Sequence, residues 1–261
     1  MLDQATLYQL MQPRCSRADV GRSSVKDQYN TKADDKKVQG TGVKHYAFFP
    51  GNPVWKTKRS LTYAFSPTLE TTHVSLEDRR AAFASAFAQW SAIVPLTFTE
   101  ISSYNDADIK IEFANGDHKD GQPFDGVLGI LGHAFSPEDG RFHLDNAEYW
   151  TVDMNSEQSS FAMDLESVAV HEIGHLIGLG HSSTKDAIMF PSLTPREVKR
   201  QLVGDDIRGA QALYGTSKSS QGSNSFVHNT DETANAVSGT FCGVWLYLLL
   251  LAIHFLASNL L

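Results

Sequence analysis

Within residues 45–215, hydrophobic and polar positions repeat with the periods of both strands and helices. Three segments, 61–65, 96–99 and 108–113, carry apolar side chains at alternate positions, which predicts half-buried strands. Because strand and helix patterns are mixed along this stretch, we expect one packed α/β unit.

Three helices are predicted in the same stretch. The first begins at Ser75, since Asp78 follows at the capping-box spacing and apolar residues then recur every three or four positions. The second helix is predicted over 164–177. The third covers about 204–214, where Gly215 ends it.

The flanking segments differ in composition from this unit. Residues 21–42 are polar and mixed in charge, which predicts an exposed, protease-accessible linker. Residues 216–240 are rich in Ser, Asn, Thr and Gly, as flexible tethers are. Residues 241–261 form an uncharged apolar run long enough to span a bilayer. Residues 1–20 lack the basic and apolar regions of a secretory signal.

Charge and composition narrow the class of function. The net charge is −8, from 22 basic and 30 acidic residues, which argues against nucleic acid as a partner. Cys15 and Cys242 are the two cysteines, too few for a disulfide scaffold. Histidines concentrate instead in residues 118–181, which indicates metal binding.

The sharpest signal is a group of three histidines with a glutamate. On a helix, His171 and His175 project from one face at a spacing that suits a single zinc ion. Gly178 allows the chain to turn sharply and bring His181 to the same ion. Three nitrogen ligands leave one position open for water, as in catalytic sites. Glu172 is then placed to act as general base toward a zinc-activated water, so the predicted reaction is hydrolysis of a peptide bond.

Two motifs carry a resemblance to a known family. Met189 follows the histidine motif at the distance of the Met-turn of metzincins. Residues 13–20 resemble the cysteine-switch motif of matrixins (matrix metalloproteinases), with Ser16 and Ala18 where the family usually has Gly and Pro. The resemblance extends over residues 3–215. The Ser-rich tether and apolar tail are most similar to those of plant matrixins.

The resemblance implies a fold and a domain organisation. The expected fold is a metzincin-like α/β (α+β) catalytic domain, with a twisted, mostly parallel five-stranded sheet, three helices and a zinc cleft. The expected segments are a propeptide remnant with its linker at 1–44, a catalytic domain at 45–215, a tether at 216–240 and an apolar tail at 241–261.

The cysteine-switch resemblance assigns a role to Cys15. A thiolate is a strong fourth zinc ligand, so Cys15 would hold the enzyme latent by displacing the catalytic water. Cleavage by an activating protease within 39–46 would release it. In the family the new amino terminus often pairs with an acidic residue of the last helix, for which Asp205 and Asp206 are both candidates.

A second metal cluster is predicted from His118, Asp120, His133 and His143. Three nitrogens and one carboxylate fit a closed, four-ligand structural zinc site. The four positions also match the structural zinc ligands of matrixins, which is what the resemblance implies for them.

The resemblance further implies calcium sites beside this cluster. Calcium accepts carboxylates together with backbone carbonyls. The first site would take three carboxylates and three carbonyls, from Asp125, Asp145, Glu148, Gly126, Leu128 and Ile130. A second family site would use the carboxylate of Asp108, and the alternative for this residue is a solvated acidic loop.

On the substrate side, matrixins bind an extended peptide beside an edge strand. Residues 191–193 match the wall of the family's S1′ pocket, and Ser167 lies one helical turn before the first zinc ligand. Leu193 and the small Ser167 predict a roomy apolar pocket that prefers Leu-like or larger side chains.

We therefore expect a monomeric zinc endopeptidase that hydrolyses extracellular proteins, either secreted or tethered to the cell surface. The alternative is a catalytically silent binding ectodomain of the same fold. The apolar tail fits a glycosylphosphatidylinositol signal, with Asn229 or Asn235 among the attachment candidates, and a retained transmembrane anchor is the alternative.

Overall fold

The computed structural model describes residues 13–15 and 45–217, and their centre is a six-stranded sheet. The strand order is β1-β5-β6-β4-β2-β3. β5 and β6 run antiparallel, and each other neighbouring pair is parallel. The strands are β1 (Arg14–Cys15), β2 (Ser60–Phe65), β3 (Thr97–Glu100), β4 (Ile109–Ala114), β5 (Ile130–Ala134) and β6 (Arg141–Asp145).

The helices confirm the sequence prediction closely. They are α1 (Leu76–Ile93), α2 (Leu165–Leu176) and α3 (Gly204–Tyr214). The side chain of Ser75 accepts a hydrogen bond from the Asp78 N–H at the start of α1, and Asp164 caps α2 in the same way. A short parallel pair, β7 (Trp150–Thr151) and β8 (Met163–Asp164), leads into α2.

The sheet departs from the prediction in one respect. The three predicted strands lie within one residue of β2, β3 and β4, but the sheet has a sixth strand, β1, which pairs parallel with β5. Without β1, β5 would be an edge strand with unpaired N–H and C=O groups. The short segment that contains Cys15 pairs with this edge. β5 and β6 were not predicted because four of five residues in each are buried, which removes the alternation.

The hydrophobic core positions α2. Trp90 of α1 is fully buried and its indole N–H donates to the carbonyl of Val170 at 2.9 Å. Ile173 of α2 is also fully buried, as is Phe142 on β6. α2 is therefore held by α1 on one side and lies against β5, with the histidines of its second half facing the β1 segment.

The predictions for the linker, the tether and the apolar tail lie outside the described residues. Within 13–15 and 45–217, every helix is too short or too polar to span a membrane.

Candidate active site and metal centres

Four potential metal ligands converge at the carboxyl end of α2. The ligand atoms of Cys15, His171, His175 and His181 all lie within 4.8 Å of one another. His175 Nε2 is 3.3 Å from Cys15 Sγ and 3.3 Å from His181 Nε2. The structure thus brings together the three histidines and Cys15, the four residues that the sequence assigned to one zinc ion, although Cys15 lies 160 residues from His175 in the chain.

The ring orientations of two of these histidines suit a metal ion. His171 Nδ1 donates to the carbonyl of Ile188 at 2.7 Å, and His175 Nδ1 donates to the carbonyl of Leu179 at 2.8 Å. A carbonyl only accepts, so each Nδ1 carries the proton and each Nε2 directs a lone pair into the cluster. Burial lowers the pKa of His171 to about 3, and its Nε2 has no hydrogen-bond partner among the described residues. This donor set fits zinc.

Two glycines allow the backbone geometry of the site. Gly178 has φ +103°, and a Cβ there would lie 2.3 Å from the carbonyl oxygen of Pro53, which confirms the predicted turn that returns His181. Gly174 packs directly against Met189, because a Cβ at this position would lie 2.2 Å from the methionine Sδ. The Met189 side chain therefore supports the helix that carries the histidines.

Glu172 is buried with 1% of its surface exposed, and it lines a cavity together with His171 and Cys15. The predicted pocket residues Ser167 and Leu193 line the same cavity. The predicted general base Glu172 and the predicted zinc ligand His171 are thus adjacent to the predicted substrate pocket.

The segment 13–15 fills the groove between β5 and residues 191–193. It adds a strand to β5 on one side and forms an antiparallel bridge between Arg14 and Ser192 on the other. The groove therefore binds extended backbone. The bonds are Arg14 N–H to Gly129 O at 2.7 Å, Cys15 N–H to Pro191 O at 3.1 Å and Leu193 N–H to Pro13 O at 3.1 Å.

The second predicted cluster also forms. Asp120 Oδ2 lies 2.6 Å from His133 Nε2, 2.9 Å from His118 Nε2 and 2.9 Å from His143 Nδ1. Burial opposes ionisation of Asp120, but hydrogen bonds from Gln122 N–H and His133 outweigh it and hold its pKa well below the usual value. An ionised carboxylate surrounded by three imidazoles is a donor set that fits a closed zinc site.

The predicted calcium residues form an acidic loop beside β5. Glu148 is fully buried, and neither of its oxygens receives a hydrogen bond of ordinary geometry among the described residues. Burial and the neighbouring Asp145 raise the pKa of Glu148 to about 8. Asp125 accepts from the Ile130 N–H at 2.8 Å and Asp145 accepts from the Gly126 N–H at 3.1 Å. The carboxylates fit a cation that would balance their charge.

Asp108 has a different environment. Its Oδ1 is bonded to the ammonium of Lys58, and its Oδ2 accepts from Thr62 N–H at 2.9 Å and Thr62 Oγ1 at 3.0 Å. Both oxygens are engaged and the charge is balanced by a lysine, so these residues do not fit a second calcium ion.

The two acidic residues at the start of α3 serve different partners. Asp205 Oδ1 accepts from the His45 N–H at 3.3 Å, at the amino end of the predicted catalytic domain. Asp206 instead accepts from the backbone N–H groups of Ile188 and Met189 at 3.0 and 3.1 Å. Of the two candidates, Asp205 is the one beside residue 45.

Sequence reasoning missed Lys199 and Arg200 at this site and gave Asp206 a different role. Asp206 holds the Met189 turn, Lys199 lines the cavity, and Arg200 is paired with Asp164. Their partners are distant in the chain, so no local pattern indicated these roles.

Comparison with known proteins places the chain in a family. The matrixin family model matches residues 54–215. Metalloendoproteinase 4-MMP of Arabidopsis thaliana is 50% identical over 216 residues, or 82% of this chain and 60% of the relative. Metalloendoproteinase 1-MMP of the same plant is 47% identical over 82% of this chain and 56% of the relative. Human matrix metalloproteinase-20 is 38% identical over 83% of this chain and 39% of the relative.

The fold, with its histidine cluster at the end of α2, defines a metallopeptidase-type domain. The chain belongs to the matrixin family. The two plant proteins are more similar to it than the human protein is, in agreement with the predicted resemblance to plant matrixins. The chain spans only 60% and 56% of the length of these two plant relatives.

Proposed function

We propose that the chain is a zinc-dependent endopeptidase, with residues 45–215 as its catalytic domain. The observation that carries the proposal is the convergence of His171, His175 and His181, with two Nε2 lone pairs directed into the cluster and Glu172 buried beside them. The matrixin membership and the metalloendoproteinase relatives support the same activity.

The three histidines would hold the catalytic zinc, which when bound would polarise the scissile carbonyl and acidify water. Glu172 acts as general base: it takes a proton from the attacking water and then donates it to the departing amine. The edge of β5 and residues 191–193 bind the substrate backbone in extended form, as they bind residues 13–15 in this structure.

Cys15 keeps this site latent. Its sulfur lies among the ligand atoms of the three histidines, and residues 13–15 occupy the groove that a substrate would need. Cleavage of the linker by an activating protease removes the segment. The new amino terminus near residue 45 then lies beside Asp205.

Two further ion sites complete the proposal. His118, Asp120, His133 and His143 hold a structural zinc, supported by the approach of three ring nitrogens to Asp120 Oδ2. A calcium ion is held by three carboxylates and three backbone carbonyls, and we do not extend this assignment to Asp108. The calcium residues are Asp125, Asp145, Glu148, Gly126, Leu128 and Ile130, supported by the buried Glu148.

The substrates are extended segments of extracellular proteins, and the enzyme acts as a monomer. Ser167 and Leu193 leave room for a Leu-like or larger side chain after the scissile bond. The apolar run at 241–261 supports attachment to the cell surface as a glycosylphosphatidylinositol signal. Release from cells by a phosphatidylinositol-specific phospholipase tests this point, since a transmembrane anchor resists that enzyme.

The activity is tested on the full chain, activated with a thiol-reactive mercurial that removes Cys15 from the site. We expect cleavage of a quenched peptide library, its loss on chelation, and its recovery with zinc. Glu172→Gln preserves the side-chain size and should lower kcat by about 10²–10⁴-fold without loss of bound zinc. A silent binding ectodomain predicts no cleavage in any of these samples, and that result would exclude the proposal.

A further inference from the structure

Residues 192–203, which we call the pocket loop, connect the cavity to α3. At its front, the Leu193 N–H donates to the carbonyl of Pro13, on the segment that activation removes. Leu193 and Lys199 both line the cavity. The position of this loop after activation therefore depends on the contacts at its back.

Arg200 forms the inner contact at the back of the loop. Its Nε lies 2.9 Å from Asp164 Oδ1, its Nη2 lies 2.5 Å from Asp164 Oδ2, and its Nη1 lies 2.9 Å from Glu166 Oε2. The Asp164 side chain is fully buried, and Arg200 Nη2 also donates to the carbonyl of Val152 at 3.1 Å. A two-pronged ion pair with a buried carboxylate fixes both distance and orientation.

The same carboxylate connects the loop to the catalytic helix. Asp164 Oδ1 accepts from the Ser167 N–H at 2.9 Å and from its hydroxyl at 2.6 Å. Ser167 Oγ in turn accepts from the Lys199 N–H at 2.8 Å. Since Ser167 and Lys199 both line the cavity, the ion pair of Arg200 with Asp164 is connected through hydrogen bonds to two residues of the cavity wall.

Arg196 forms an outer contact of a different kind. Its guanidinium donates to three backbone carbonyls, those of Glu157, Ser159 and Met154, at 3.1, 2.9 and 2.9 Å. Its own N–H donates to the carbonyl of Ala162 at 2.8 Å. The backbone at Arg196 has φ +65°, a conformation that a residue other than glycine adopts when surrounding contacts require it.

We propose that Arg196 and Arg200 are positioning residues, which hold the pocket loop and thereby set the selectivity of the cavity for the residue after the scissile bond. The proposal rests on the peptidase function proposed above. Neither guanidinium is a candidate metal ligand. Loosening the loop should favour large side chains relative to Leu, because the wall formed by Leu193 and Lys199 could then move outward.

The first test is independent of activity. Hydrogen–deuterium exchange is measured on the full chain for wild type, Arg196→Ala, Arg200→Lys and Arg200→Ala. We expect faster exchange in residues 192–203 for the two alanine variants, with partial protection in Arg200→Lys, which retains the charge. Arg80→Ala is the matched control, because it removes an arginine paired with Glu100 between α1 and β3. Unchanged exchange in both alanine variants would overturn the inference.

The second test measures kcat and KM on the mercurial-activated full chain. Two peptides differ only in having Leu or Trp after the scissile bond. In Arg196→Ala we expect the ratio of kcat/KM for Trp over Leu to rise by roughly tenfold, mostly through KM, with bound zinc unchanged. An equal loss for both peptides, or an unchanged ratio, overturns this inference alone. A wild type that cleaves neither peptide contradicts the proposed function instead.

Discussion

Cys15 Sγ and His175 Nε2 lie 3.3 Å apart, although 160 residues separate them in the chain. The cysteine is buried, with 6% of its surface exposed, and its sulfur occupies the same small volume as the ring nitrogens of the histidine cluster. A thiol at this position is close enough to share a metal ion with those rings. This arrangement supports the latency proposed above.

Replacement of this cysteine tests the latency directly. Cys15→Ser removes the thiolate, and a serine hydroxyl is a much weaker zinc ligand. The full-length variant should cleave a quenched peptide without mercurial treatment, at a rate approaching that of the activated wild type. Cys242→Ser is the matched control and should stay latent. Equal latency of both variants would exclude Cys15 as the inhibitory group.

Replacement of Asp120 tests whether the second cluster binds a zinc ion. Asp120→Ala removes the carboxylate that lies within 2.9 Å of three ring nitrogens. We expect the variant to bind one zinc ion fewer per chain, measured by elemental analysis after dialysis, and to melt at a lower temperature. The control is Asp117→Ala in the same loop, since Asp117 is exposed and pairs with Lys119. A metal content equal in all three proteins would contradict the structural zinc assignment.

Asp206 tests the support of the Met189 turn. Its carboxylate accepts from three backbone N–H groups, those of Ile188, Met189 and Val203, at 2.9–3.1 Å. Asp206→Ala leaves these donors unsatisfied in a buried site, at about 1–3 kcal/mol for each group. Urea denaturation should show a loss of at least about 3 kcal/mol. The exposed Asp186→Ala should change stability by less than about 0.5 kcal/mol, and a similar small effect at Asp206 would refute the argument.

Gly174→Ala tests the packing beneath the histidine cluster. Helix propensity alone would stabilise this variant by about 1 kcal/mol. The new Cβ would lie 2.2 Å from Met189 Sδ and 3.2 Å from Trp90, and such overpacking costs about 1–3 kcal/mol. We expect net destabilisation, measured by thermal unfolding. Gly204→Ala meets only the guanidinium of Arg208, so it should be neutral or stabilising.

Replacement of Lys58 tests the ion pair that occupies Asp108, which we do not propose as a calcium ligand. Burial raises the pKa of Asp108, but hydrogen bonds from Lys58 and Thr62 outweigh it, and the net pKa is lowered. The ionised Asp108 therefore stabilises the folded state fully above its unfolded pKa of about 3.9. This contribution to the free energy of unfolding is lost as pH falls through the pKa of Asp108 in the folded state. Lys58→Ala should cost about 0.5–1 kcal/mol at pH 7, because the lysine is half exposed.

The effect of Lys58→Ala on the free energy of unfolding should be smaller at pH 3 than at pH 7. The exposed Lys56→Ala is the control and should have little effect at either pH. Calcium added to the wild type should not compete with the Lys58–Asp108 pair. A calcium-dependent stabilisation of wild type that Asp108→Asn abolishes would contradict this account.

Local sequence determined the helices and the first histidine cluster. Capping residues and apolar spacing act within a few positions, so the bounds of α1, α2 and α3 agree with the prediction. His171 and His175 are neighbours on any helix, and the turn that returns His181 needs only Gly178. These features depend on residues a few positions apart, so the local sequence is enough to predict them.

Tertiary structure alone decided the contacts between distant segments. No periodic pattern in the sequence indicates that β1 pairs with β5 or that Arg200 forms an ion pair with Asp164. Nor does a pattern indicate that Asp205, rather than Asp206, lies beside His45. β5 and β6 lack alternation because both of their faces are mostly buried. A buried carboxylate can bind a metal ion, pair with a lysine or accept from a backbone N–H. Which of these it does depends on the segments that pack around it, and that packing is a property of the folded chain as a whole.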